Sequence, residues 1–180
     1  MAITPDTKDW TWVLQRPCPE CGFEAAGIDR SEVAPLIREV SGAWQEVLRS
    51  GSGLAERPSD AVWSPLEYAC HVRDVFRIYD ERLRLMVERD GPTFPNWDQD
   101  ATAIEDDYRA QDPGRVADET AVAGERLAAG FEGLTDEQWN RTGLRSDGAH
   151  FDIDSFARYF IHDPIHHLHD VEAPFHRPTG

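Results

Sequence analysis

Trp63-Ser64-Pro65-Leu66-Glu67-Tyr68-Ala69-Cys70-His71-Val72-Arg73-Asp74 is the stretch whose reading decides the fold. Ser64 can cap a helix, Pro65 suits the first helical position, and Glu67 completes a capping box. Beyond it Ala69, Val72, Phe76, Tyr79, Leu83 and Met86 recur at helical spacing until Gly91-Pro92 ends the run. A long amphipathic helix is marked at both ends.

Working outward, the same period appears on either side. Upstream, Val33, Leu36, Ile37, Val40, Trp44, Val47 and Leu48 mark a helix from Ser31 to Arg49, stopped by Gly51 and Gly53. Downstream comes a loop over 91–102, then a helix starting near Ala103 and broken or restarted at Asp112-Pro113. Val116, Thr120, Ala123, Leu127 and Phe131 carry it on to Gly133. Thr135-Asp136-Glu137-Gln138 repeats the capping-box pattern and predicts a short connecting helix. Residues 140–152 read as loop with a brief extended piece, and a last helix runs from Asp154 to Val171, stopped by Pro174. No period-2 strand pattern competes. The expectation is an all-α four-helix bundle over residues 31–173, with an irregular N-terminal arm (1–30) and a short tail (174–180). The arm combines Pro5, Pro17 and Pro19 with Trp10, Trp12 and Phe23, too apolar for a solvated tail.

A chain of 180 residues is long enough for one domain with a real core. Its net charge is −16, and Lys8 is its only lysine. With no clustered basic residues, nucleic-acid binding and docking on anionic membranes are both disfavoured. No segment approaches a transmembrane run, and MAITPDTKDW lacks a signal peptide's basic start and apolar core, so a cytoplasmic location is expected. Cys18, Cys21 and Cys70 are an odd count and too few for a disulfide framework.

The chemistry gathers in Phe160-Ile161-His162-Asp163-Pro164-Ile165-His166-His167-Leu168-His169. His162 and His166 are spaced i, i+4, so their side chains lie about 40° apart on one helix face and can reach one ion. Neutral imidazole suits zinc, nickel, copper or iron(II), with at least one further ligand needed. His169 shares the face but stands about 10.5 Å along the axis from His162. His167 points elsewhere and reads as a packed or surface residue. His71, on the edge of its helix's buried face, is the candidate third ligand; the alternative is a core-edge histidine satisfied by a hydrogen bond. Asp74, Asp163 and Asp170 can orient ligand imidazoles or serve as solvated helix charges. Cys18-Pro19-Glu20-Cys21-Gly22 has the form of half a zinc knuckle or of a redox pair, but no second Cys-x-x-C supplies the other half, so incidental structural use is the leading reading. Cys70 reads as a bystander, and Trp63, Trp97 and Trp139 as packing residues.

Two of these stretches, Trp63 to Asp74 and His162-Asp163-Pro164-Ile165-His166, resemble the DinB-like superfamily of four-helix-bundle metalloproteins, a likeness spanning roughly residues 31–173. The resemblance implies that His71, His162 and His166 hold a divalent transition metal, zinc or nickel foremost, with water completing the sphere. Pro164 departs from the expected regular helix and predicts a kink between the two ligands, and His167-Leu168-His169 replaces the Arg-Gly-Gln that relatives often carry. Characterised relatives include S-transferases and isomerases that use bacillithiol, mycothiol or glutathione. The implied activity is therefore a thiol-dependent transferase acting on small molecules, with a low-molecular-weight thiol as cosubstrate. The rivals are a metal-dependent hydrolase and a non-catalytic metal-binding stress-response bundle. Because many relatives dimerise, the resemblance also allows a homodimer.

Overall fold

A computed structural model describes residues 9–173 and Phe175. Pro5, Lys8 and Pro174, and most of the 174–180 tail, lie outside the described residues. Among the described residues there are five α-helices: α1 (Arg30–Ser50), α2 (Pro65–Glu88), the short α3 (Gln99–Glu105), α4 (Pro113–Glu132) and α5 (Ile153–Asp170). Each long helix begins where the sequence can satisfy its free backbone amides. Asp29 caps α1 and pairs reciprocally with Glu32. The Ser64 hydroxyl accepts from the Glu67 amide at 3.3 Å, and the Glu67 carboxylate accepts from the Ser64 amide at 2.9 Å. Asp112 accepts from the Arg115 amide at 2.7 Å, so Asp112-Pro113 is a true start.

The long helices form a bundle in which α4 packs between α1 and α2, and α5 contacts both from the other side. Trp44, Phe76, Phe131, Phe156 and Phe160 fill its centre with no exposed surface or almost none. Among the described residues, no helix is long and apolar enough to cross a membrane.

The all-α expectation needs one correction. A three-stranded sheet sits at one end of the bundle: β1 (Thr93–Phe94), β2 (Thr142–Arg145) and β3 (His150–Asp152), with β1 parallel and β3 antiparallel to β2. The strands are two to four residues long, too short for alternation to register as a pattern. The sheet folds tightly on α2. A Cβ on Gly143 would stand 2.8 Å from the Phe94 ring and 2.9 Å from the Met86 side chain, so only glycine fits.

The N-terminal arm contains two 3-10 turns, Thr11–Leu14 and Ala25–Gly27, and both lie against α5. Val13, Cys18 and Ala25 are buried there. The arm thus packs in cis along the helix that carries most of the histidines.

Candidate metal centres

α5 runs unbroken through Pro164. Adjacent positions on this helix are rotated by about 100°, so neighbouring i, i+4 pairs face different directions. His162-Asp163-Pro164-Ile165-His166-His167 holds overlapping pairs: His162 with His166, and Asp163 with His167. Each pair meets a different partner. His71, His162 and His166, expected to share one ion, consequently fall in two clusters. In the first, ligand atoms of His71, Asp163 and His167 lie within 4.8 Å of one another; in the second, those of Cys18, Cys21, His162 and His166 do so.

In the first cluster, α2 presents His71 and α5 presents the other two. His71 Nε2 stands 3.2 Å from Asp163 Oδ1, and His167 Nε2 stands 3.8 Å from Asp163 Oδ2. His71 is fully buried, with its ring stacked on Trp97 at 5.2 Å and against Trp63 at 5.4 Å. These tryptophans, expected to be packing residues, fix the imidazole plane. The Tyr68 ring lies over His167 at 4.8 Å. His167 Nδ1 is 2.7 Å from the Asp170 carboxylate, which leaves Nε2 with its lone pair toward the cluster when Nδ1 carries the proton. His71 Nδ1 has no hydrogen-bond partner among the described residues. Burial alone would raise the Asp163 pKa, but His71 and His167 outweigh it and hold the carboxyl well below its usual range. Two imidazoles and one carboxylate at these separations suit a divalent transition metal, with positions left for other ligands.

The second cluster joins the arm to α5. Cys18 Sγ lies 3.7 Å from His166 Nδ1, and Cys21 Sγ lies 3.7 Å from His162 Nε2. Burial pushes the Cys21 thiol up to about 11 and, with His166 nearby, presses His162 down to about 4. His162 is therefore neutral at physiological pH.

A cavity of about 1090 Å³ reaches both clusters: all three residues of the first line it, and so do His162 and His166 of the second, while Cys18 and Cys21 do not. Tyr68, Tyr79 and Arg82 of α2, Arg145 of β2 and Tyr159 of α5 also line it. Arg145 is engaged with Asp147 and the Tyr159 hydroxyl. Arg82 is buried; it donates to the Pro95 carbonyl at 2.8 Å and lies over the Phe94 ring at 4.9 Å.

Other expectations sort themselves by partner. Asp74 orients no imidazole: it binds Arg73, Arg77 and the Tyr108 hydroxyl. Asp170 pairs with His167, and Asp163 lies within the first cluster itself. Cys70 is buried beside the Tyr108 carbonyl, outside both clusters, and burial raises its thiol to about 12. His169 is exposed and belongs to neither cluster.

The fold is a helical bundle with a histidine–carboxylate cluster between two of its helices, and the family model for the DinB superfamily matches residues 39–171. The chain belongs to the DinB superfamily. Among solved structures, it is similar to YfiT from Bacillus subtilis with a TM-score of 0.71 and 19% identity, covering 80% of this chain and 85% of that one. YfiT is described as a probable metal-dependent hydrolase with an unusual four-helix bundle topology. No curated protein sequence matches the chain significantly.

Proposed function

We propose that the protein is a metal-dependent enzyme acting on small molecules, most simply a thiol-dependent S-transferase or isomerase, with His71, Asp163 and His167 holding the ion. The observation that carries this reading is the convergence of those three donors, all of which line a cavity of about 1090 Å³, whereas only the two histidines of the other cluster do. That volume is at the upper end for a single small ligand and accommodates a thiol together with its acceptor. A divalent ion supplies a thiol with a lowered pKa, and it does the same for water. Hydrolysis is the second reading, favoured by the description of YfiT.

The surrounding residues have separable tasks. Trp63 and Trp97 hold His71, Asp170 holds His167, and burial raises the Tyr68 hydroxyl to about 12, keeping it protonated as a donor. Arg82 has no carboxylate partner among the described residues and offers a guanidinium to an anionic substrate group. Its replacement, Arg82→Met, should raise KM for anionic acceptors several-fold and leave neutral ones nearly unchanged; equal effects on both would remove Arg82 from substrate binding.

The decisive experiment measures metal content and turnover together. His71→Ala and His167→Ala should each lose about one metal per chain and all activity, while His169→Ala keeps both. If His162→Ala abolishes turnover and His167→Ala does not, the reactive ion sits among His71, His162 and His166, as the sequence alone suggests. Turnover of a maleyl-type or chlorinated electrophile that needs added thiol supports transfer; ester or amide cleavage without thiol supports hydrolysis.

A further inference from the structure

The Cys-x-x-Cys turn has found the two ligands that the sequence alone does not supply. Cys18 and Cys21 sit on a tight turn: the Gly22 amide donates to the Cys18 carbonyl at 2.8 Å, and the Cys18 amide to the Phe23 carbonyl at 2.9 Å. Gly22 closes the turn at φ +74°, a conformation that side chains disfavour.

The spacing matches an ion more closely than it matches four unrelated side chains. With metal–sulfur bonds of about 2.3 Å and metal–nitrogen bonds of about 2.0–2.1 Å, the sulfur–nitrogen edge of a tetrahedron is roughly 3.6 Å. Both observed sulfur–nitrogen separations are 3.7 Å. All four ligand atoms lie within 4.8 Å of one another, and three of the four residues are buried. A separate observation concerns the far side of His166. Its Nε2, turned away from the sulfurs, stands 3.4 Å from the Glu20 carboxylate and 3.8 Å from that of Asp170. Carboxylates behind the second ring nitrogen are the usual support for a ligating imidazole. The Trp10 ring lies over both imidazoles, at 5.5 Å from His162 and 5.2 Å from His166.

We propose that Cys18, Cys21, His162 and His166 form a second, closed metal site that takes zinc and clamps the N-terminal arm to α5. Two thiolates and two neutral imidazoles around a zinc ion carry no net charge, which suits a site under Trp10. Four protein ligands leave no position for substrate, so this site is structural. The thiolate pair selects zinc over harder cations. The inference stands independently of the activity proposed for His71, Asp163 and His167.

The test uses the intact protein. Titration with an organomercurial under non-denaturing conditions should release one zinc for every two thiols modified. Cobalt(II)-substituted protein should show sulfur-to-cobalt charge-transfer absorption, which the first cluster, having no sulfur, cannot produce. That absorption should survive His71→Ala and vanish in Cys18→Ser/Cys21→Ser, whose zinc content should fall by one equivalent. Folding of the double variant is checked by circular dichroism; should it not fold, the mercurial titration on the native chain decides alone. Absence of the charge-transfer band, zinc unchanged in a folded double variant, or a Cys18–Cys21 disulfide in freshly purified protein would each overturn the proposal.

Discussion

Asp74 shows how a charged residue beside a functional helix serves the fold instead. Its carboxylate meets the Arg73 guanidinium at 2.9 Å through two bonds, Arg77 at 3.0 Å and the Tyr108 hydroxyl at 2.6 Å. Arg73 in turn reaches Glu119 at 3.0 Å and Gln111. The network ties α2 to α4 and to the turn at Tyr108–Ala110. Burial alone would raise the Asp74 pKa, yet Arg73 and Tyr108 outweigh it and hold the carboxyl below its usual value. A carboxyl depressed in the folded state adds stability above its unfolded pKa of about 3.9, and that stability is lost as pH falls through the folded value. Asp74→Asn should therefore cost about 3 kcal/mol at neutral pH, because it leaves Arg73 buried and underpaired. The deficit against the parent chain should shrink below about pH 4. Urea unfolding at pH 7 and pH 3 measures it, and an equal deficit at both would mean the carboxylate charge is not what matters.

At the scale of elements, one turn of α5 serves two clusters, and this explains what the sequence left open. The helix starts were legible because capping is local chemistry: Ser64 with Glu67, Asp112 before Pro113, and Thr135 with Gln138 all pair as their spacing predicts. The histidine-rich turn was harder, because His162–His166 and Asp163–His167 satisfy the same i, i+4 rule one residue apart. Spacing along a helix fixes which side chains share a face but not which face meets which partner. That choice depends on where α2 and the arm pack, and both are long-range contacts. Periodicity put His71 at the edge of its helix's buried face, where the structure instead buries it fully, and it saw the Cys-x-x-Cys turn but could not bring residue 18 next to residue 166. The sheet escaped for a different reason: β1 has two residues, and its pairing with β2 spans some fifty positions of sequence.

For the whole molecule, the question is how a short, proline-broken arm stays on a strongly acidic chain. Its net charge is −16, and general repulsion among carboxylates opposes compaction. The arm's own apolar contribution comes from Val13, Cys18, Ala25 and, next to α1, Ile28, which are buried, with Leu14 and Phe23 packed at the margin. Burying groups of this size contributes a few kcal/mol, against an ordering cost of about 1–2 kcal/mol for each backbone residue held in place. Apolar contact alone is thus a weak fastening for a segment of this length. Trp10 over His162 and His166, together with Cys18 and Cys21 beside them, concentrates the attachment at one point on α5. Deleting residues 1–27 should lower the melting temperature by several degrees and remove one zinc per chain, while any metal held by His71, Asp163 and His167 remains. A chelator strong enough to strip the Cys18–Cys21 site should bring the full-length protein most of the way to the same melting temperature, since the arm then has only its apolar contacts. Differential scanning calorimetry with metal analysis of both samples reads the two effects together. A truncated chain that melts with the parent, or a chelated parent that keeps its full melting temperature after losing that zinc, would mean that the arm is held by packing or not at all.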